Sequence, residues 1–546
     1  MALRIRRISL VLGLPLLLIL SHAASGQTRV WTAGYDGGAQ DRAGCPRCTT
    51  HTYLPFHRDF VRSRNSVAAD AAGNVYVTGT SSNGSNPDFV TVKYDANGVR
   101  QWASLYDGGE EDQAYAVAVD GGGNVYVTGD SVVQTEDLGL QPRFLTVKYD
   151  ANGVQQWTAT LDSGVWGTAV TVAVDGSGNV HVAGESYNGD SITAMVVKYN
   201  AAGAQQWARG AIFGFDYEES SAYDLALDSG GNVYVTGYLY KPFEPDGTDY
   251  ITAKLSPSGA DLWTRAYDSG GPDGAYDVAV DGDGNVFVAG DAGTVKYDTA
   301  GVQQWARPFP GTAHALIAAG GFVYATGTSG GDFQTVKYDG AGVQQWAATR
   351  DGGGADQAHA LLLAGDTLYV TGHTTGAIQT DALTVGFDAA SGVEVWSDLY
   401  GGAFDDSAYA MASTGTGSFS IAGYSNNGSD NDVLVVQYAT SPSPSLPSLL
   451  RLKLTPATLA GGRKTGKGRV TLSAPAPAGG AVVLLTNTNP AAVVPASVTI
   501  PEGMTSQAFS INTQAVSSTQ TGIVTATYGG VSKSETLTVR PVKAKP

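Results

Sequence analysis

The chain has 546 residues, including 72 Gly, 22 Pro, 27 Tyr, 9 Trp, 4 Met and 2 Cys, with 42% hydrophobic and 15% charged residues and a net charge of −18. That composition excludes a disordered polyelectrolyte, a coiled coil and a disulfide-stapled miniprotein. The length calls for more than one domain, each with its own core.

Residues 1–26 read as an export signal. Arg4, Arg6 and Arg7 precede an apolar run at 8–20, and small residues follow at 21–26. The run is short for a membrane span, and polar Gln27, Thr28 and Arg29 come at once, so cleavage rather than anchoring is expected. No later stretch approaches the length of an apolar span, so the mature chain is expected without a transmembrane segment, secreted, periplasmic or at a bacterial cell surface. Residues 27–446 hold 19 basic and 48 acidic residues, whereas 447–546 hold ten basic and two acidic. So acidic a body repels phosphate backbones, which argues against a nucleic-acid partner and for cations, basic proteins or neutral glycans.

A repeat fills the middle. Gly-Asn-Val-Tyr-Val-Thr-Gly stands at 73–79, 123–129 and 231–237, with variants at 178–184, 284–290, 321–327, 366–372 and 417–423. Each is followed by a second strand-like run. After seven of them come a turn and a tryptophan: Trp102, Trp157, Trp207, Trp263, Trp305, Trp346 and Trp396. The eighth run lacks one, and the missing tryptophan is Trp31, near the start of the chain. A unit of about 40–55 residues with four short strands is the size of a propeller blade. In the turns D-x-x-G, Asp bonds backbone donors ahead of it and Gly accepts the conformation that tight hairpins require.

The expectation is an all-β chain over 27–440: an eight-bladed β-propeller of four-stranded blades, the last closed by the N-terminal strand carrying Trp31. Seven blades with one degenerate copy is the alternative. Closure would remove the two free edges of an open stack, and the eight tryptophans are expected to pack between blades.

These residues resemble the bacterial secreted β-propeller repeat family, whose units read D-x-x-G-N-V-Y-V-T-G, then V-K-Y-D-x-x-G, then W. The segment 387–396 is also similar to the tryptophan-docking motif of quinoprotein-type propellers, which implies eight blades. The other copies are mostly one residue shorter between Asp and Gly, as in Asp95 to Gly98, so this likeness implies architecture rather than activity.

Residues 441–448 form a stiff Ser/Pro linker by composition. Beyond it, strand-like runs at 450–454, 468–472, 481–486, 496–500, 507–513, 522–528 and 534–539 predict a small antiparallel β-sandwich over 449–541, before a basic tail at 542–546. The module resembles a bacterial Ig-like domain, which implies spacing or anchoring.

Propeller loops alternate between two faces. The short, uniform turns D-x-x-G-N and Y-D-x-x-G share one; loops at 131–143, 238–250, 107–112, 268–273 and 351–356 vary and share the other, where binding is expected. Asp41, Asp112, Asp273, Asp356 and Asp406 each stand two residues before an Ala and open an inner strand. They could ring the channel mouth and attract Ca²⁺ or a basic ligand, or each could cap its local turn. Asp281-Gly-Asp-Gly-Asn looks like a calcium loop but lacks the bidentate acid at its far end, so a turn is expected. An insertion at 44–64 holds Cys45, Cys48, His51 and His57, spaced for a local disulfide in an oxidising compartment or for a Zn²⁺ site.

No H-E-x-x-H motif is present and His is sparse, so no catalytic residue is assigned. The reading that follows is a secreted or cell-surface binding or scaffold protein, monomeric and requiring no cofactor, whose propeller presents its variable face to an extracellular protein or polysaccharide. The alternative is a quinoprotein-like or glycan-cleaving enzyme, with a cofactor-sized cavity between the aspartates and Trp166.

Overall fold

The alternation of apolar and polar residues in each repeat, punctuated by Asp and Gly, gives short strands joined by tight turns. The computed structural model describes residues 29–36, 41–43, 66–82, 86–135, 139–161, 165–210, 219–241, 247–376, 378–415, 417–440, 448–462, 466–476, 480–501, 503–528 and 531–542. The signal-like segment, the insertion with Cys45, Cys48, His51 and His57, the linker as far as residue 447 and the tail from residue 543 lie outside them.

The protein is a β-propeller. Among the described residues of 29–439, eight antiparallel sheets follow one another, each built from four strand positions. The second blade is representative: Asp112–Val119, Val125–Thr135, Gly139–Tyr149 and Gln155–Leu161, running from the innermost strand outwards. Its second and third strands are longer than expected, because the supposed loop at 131–143 is mostly a hairpin arm, paired as far as Thr135 and Gly139. In the first blade the innermost position is split between Asp41–Ala43 and Val67–Ala69, both paired with Val75–Ser82.

The ring closes through the chain's two ends. Strand Arg29–Tyr35 is the outer strand of the eighth blade and pairs antiparallel with Asn431–Ala439, Trp31 opposite Gln437. Arg29 reaches back to the seventh blade, its Nε 2.5 Å and its Nη2 2.9 Å from the two oxygens of Asp398. A buried cluster of Tyr35, Val433 and Val435 with Val75, Val92 and Tyr94 joins the eighth blade to the first.

Seven tryptophans lock each blade to the next by one device. The indole Nε1 donates to a backbone carbonyl in the next blade's outer turn, at 3.1–3.2 Å: Trp31 to Ala96, Trp102 to Ala151, Trp157 to Ala201, Trp207 to Pro257, Trp263 to Thr299, Trp305 to Gly340 and Trp346 to Ala389. The ring lies against that turn's glycine. At Gly153, where φ is 80°, an added Cβ would come within 2.6 Å of the Trp102 ring. Trp396 departs from the rule. The blade beyond it takes its outer strand from the other end of the chain and has no such turn, so Trp396 packs edge-on against Tyr369 and Tyr438, with centroids 6.3 and 5.1 Å away.

Residues 449–540 form two sheets around a core that includes Leu452, Val470, Phe509 and Ile511 on one side and Val483, Val524, Leu537 and Val539 on the other. The expected strands are present, with Thr458–Ala460 and Ala492–Val493 added. The sandwich is not wholly antiparallel, because Thr458–Ala460 runs parallel to Val531–Arg540.

Gly153→Ala is expected to lower stability by about 3 kcal/mol, from left-handed backbone strain plus overpacking against Trp102. Gly121→Ala, in an open turn with nothing within 4 Å, should shift it by less than about 0.5 kcal/mol. Urea unfolding of both variants checks the difference.

Candidate functional site

Each innermost strand carries a one-residue bulge, and the bulge builds the axial site. In seven blades the register shifts at one position, which falls at Tyr115, Val170, Tyr223, Tyr276, His314, His359 and Tyr409. A bulge of this kind bends the strand and re-aims its extra side chain, here towards the axis. The glycine ending V-x-V-x-G on the second strand makes room for it: a Cβ at Gly129 would stand 1.9 Å from the Gln113 carbonyl oxygen, and at Gly237 1.8 Å from that of Ser221. In the first blade Ala43 pairs with Gly79 and Val67 with Val77, so the insertion at 44–64 leaves and returns at the same bulge position.

The bulge residues touch from blade to blade. Ring centroids are 5.8 Å apart for Tyr223 and Tyr276, 6.5 Å for Tyr276 and His314, 6.0 Å for His314 and His359, and 5.0 Å for His359 and Tyr409. The residue after each second-strand glycine adds a second tier: Asp130, Glu185, Tyr238, Asp291, His373 and Tyr424 among them. Tyr276 donates to Asp291 Oδ2 at 2.6 Å, Ser221 to Glu185 Oε2 at 2.5 Å, and His359 Nε2 lies 3.0 Å from His373 Nδ1. The belt is thus acidic and phenolic over the second to fifth blades and imidazole-rich over the sixth and seventh.

Burial dominates its electrostatics. Asp130 is pushed up to about 7 by burial, assisted by repulsion from Asp112 and Glu185 and opposed by the Tyr115 hydroxyl. Burial beside Asp130 also pushes the Tyr115 phenol well up, with Glu185 adding to it, and burial near Tyr238 and Glu185 does the same for Tyr223. Both phenols therefore remain neutral hydrogen-bond donors at physiological pH.

Of the two readings of the aspartates, a ring at the channel mouth or caps of their local turns, the hydrogen bonds of four of them fit the caps. Asp112, Asp273, Asp356 and Asp406 are buried and each accepts the backbone N–H of the residue four positions earlier: Gly108, Ser269, Gly352 and Gly402. Burial raises the carboxyls of Asp112, Asp273 and Asp406. Asp41 opens the split inner strand of the first blade. The acidic neighbours of Asp112 are Asp88 and Asp107, and those of Asp356 are Asp332 and Asp351, so these residues serve junctions between consecutive blades, as turn caps, and do not form a shared ring. Trp166 stacks on Tyr187 of its own blade at 5.7 Å. Asp281 Oδ1 accepts the N–H groups of Asp283 and Asn285, the same turn Asp120 makes with Gly122 and Asn124.

The belt escaped sequence reasoning, though its signal was there: the residue inside Ala-x-Ala, Ala-x-Asp or Ala-x-Thr on seven inner strands, and the one after each second-strand glycine. An alternating-strand reading spaces them as ordinary core positions, because periodicity alone does not reveal a bulge.

Because Asp130 has a raised native pKa, its stabilisation is fully present below about pH 4 and is lost as pH rises through about 7. Asp130→Asn is therefore expected to gain on the parent chain between pH 4 and 8, by up to about 4 kcal/mol. Urea unfolding across that range should show the gap open with pH; a constant difference would contradict the assignment.

A family model described as outer membrane protein assembly factor BamB matches residues 248–441. No curated protein matches the chain. Similar solved structures include Sqt1 of Chaetomium thermophilum (12% identity, 70% of this chain and 96% of that one, TM-score 0.41) and a puromycin hydrolase (14%, 74% and 63%, 0.41). A polysaccharide lyase, Uly1, is similar at 11% identity over 76% of this chain and 99% of that one, with a TM-score of 0.42. Among the described residues no helix is long and apolar enough to cross a membrane. The chain is a β-propeller repeat protein.

Proposed function

We propose that this is a secreted or cell-surface binding protein whose propeller takes a neutral polysaccharide at the axial belt and the variable loops around it, with the C-terminal sandwich spacing or anchoring the propeller. One observation carries the reading: the half-buried tyrosines Tyr223, Tyr238 and Tyr276 stand beside the acceptors Glu185 and Asp291. Phenol rings offer apolar faces to the C–H side of a sugar ring, and carboxylates accept its hydroxyls. The bulges lie one to four residues inside the strand end that follows the variable loops, which favours a surface shared by both. The acidic body disfavours anionic polymers, and the segment 1–26 supports export. A basic protein ligand would suit the same charge, but the paired ring and acceptor groups favour a glycan.

The test is retention on immobilised neutral polysaccharides, with released reducing ends assayed in parallel. The parent chain should be retained without release, and Tyr223→Ala and Tyr276→Ala should each weaken retention about tenfold. Release of reducing ends would favour the glycan-cleaving alternative. No retention, or retention untouched by both substitutions, would overturn the reading.

A further inference from the structure

Two junctions between blades repeat one arrangement of three carboxylates. Between the first and second blades, Asp88 opens the third strand, Asp107 follows the outer strand and Asp112 begins the next inner strand. Between the sixth and seventh, Asp332, Asp351 and Asp356 hold the same places. In each trio a carboxylate oxygen from every member lies within 4.8 Å of the others. Like charges so close repel unless a cation stands among them.

The innermost member supplies the second observation. Asp112 and Asp356 are fully buried, and in each Oδ2 accepts a backbone N–H; Asp356 Oδ1 is buried and accepts no hydrogen bond. Beside Asp356 the buried hydroxyl of Thr374 is likewise unbonded, while Asp112 has one further neutral donor, the Ser131 hydroxyl. A buried carboxylate oxygen left without a donor is costly and implies a missing positive partner.

A third junction shows what satisfies this arrangement. Between the fourth and fifth blades the equivalent residues are Asp249, Asp268 and Asp273. There Lys241 Nζ stands 2.6 Å from Asp249 Oδ2, and Ser269 replaces the glycines at 108 and 352, donating to Asp273 through both N–H and hydroxyl. Where the chain supplies its own ammonium and hydroxyl, the inner carboxylate has donors on both oxygens.

We propose that the trios Asp88/Asp107/Asp112 and Asp332/Asp351/Asp356 are two Ca²⁺ sites. The donors are all oxygen, from carboxylates and a neighbouring hydroxyl, and water completes the six to eight ligands that Ca²⁺ takes in irregular geometry; Mg²⁺ would demand a regular octahedron. Each ion would tie a variable loop to the blade before it, stiffening the rim of the ligand-binding face. The proposal is independent of which ligand that face takes.

The test uses the full chain, stripped with EDTA, and counts bound Ca²⁺ by equilibrium dialysis and elemental analysis. Asp107→Asn and Asp351→Asn alter exposed members and spare the buried ones. Each should abolish one bound ion or weaken it at least tenfold, and the double variant should lose the rise in melting temperature that Ca²⁺ gives the parent. Asp268→Asn, at the lysine-filled junction, should leave the count unchanged. No Ca²⁺ bound at about 5 mM, above the range of extracellular calcium modules, would overturn the proposal. So would a count indifferent to Asp107→Asn and Asp351→Asn, or Mg²⁺ bound as tightly.

Discussion

The pairing of strand Arg29–Tyr35 with Asn431–Ala439 is the constraint on which the rest depends. A stack of four-stranded sheets has two exposed ends, each an open edge and an uncovered apolar face. Joining the first strand to the last blade covers both ends at once. The junction is reinforced on either side, by Arg29 on Asp398 of the seventh blade and by Trp31 on Ala96 of the first. Because the ring is closed, the inner strands face a common axis, and only then can side chains from different blades make one site.

Within that ring the repeat divides its work. The tryptophan and the outer-turn glycine fix each blade to its neighbour, while the second-strand glycine admits the bulge that turns one inner-strand side chain towards the axis. The framework residues recur from copy to copy, and the residues they project vary: Tyr, Val and His at the bulge, and Asp, Glu, Tyr, Thr and His beside it. This is how a repeat protein holds a fold constant while composing a particular surface. The first blade extends the idea, since its bulge position is where a whole insertion enters and leaves.

Much of the architecture was legible because it rests on local chemistry repeated many times. Asp120 bonds the amides two and four residues ahead of it, Gly153 turns left-handed, and Trp157 follows at a set distance; each copy corroborates the others. The displaced Trp31 pointed to the closure, which the pairing of Trp31 with Gln437 carries out. The site was less legible. Asp112 and Asp356 could be read as ring members or as turn caps because their spacing from Ala recurs, and each turns to its own loop and to the blade before it, an orientation that spacing along the chain does not encode. Trp396 resembled its seven counterparts, and only the absence of an outer turn in the eighth blade set it apart.

The most direct measurement is a disulfide trap between the two ends of the ring. Ala33 and Val435 are directly opposed Cα partners in the closing pair, within the spacing a disulfide spans. With cysteines at both positions, mild oxidation should link peptides from the two ends in a single folded chain, detected by mass spectrometry. Free thiols at both positions in a chain that retains its β-sheet circular dichroism would contradict the closed ring, and with it the shared axis on which the binding site stands.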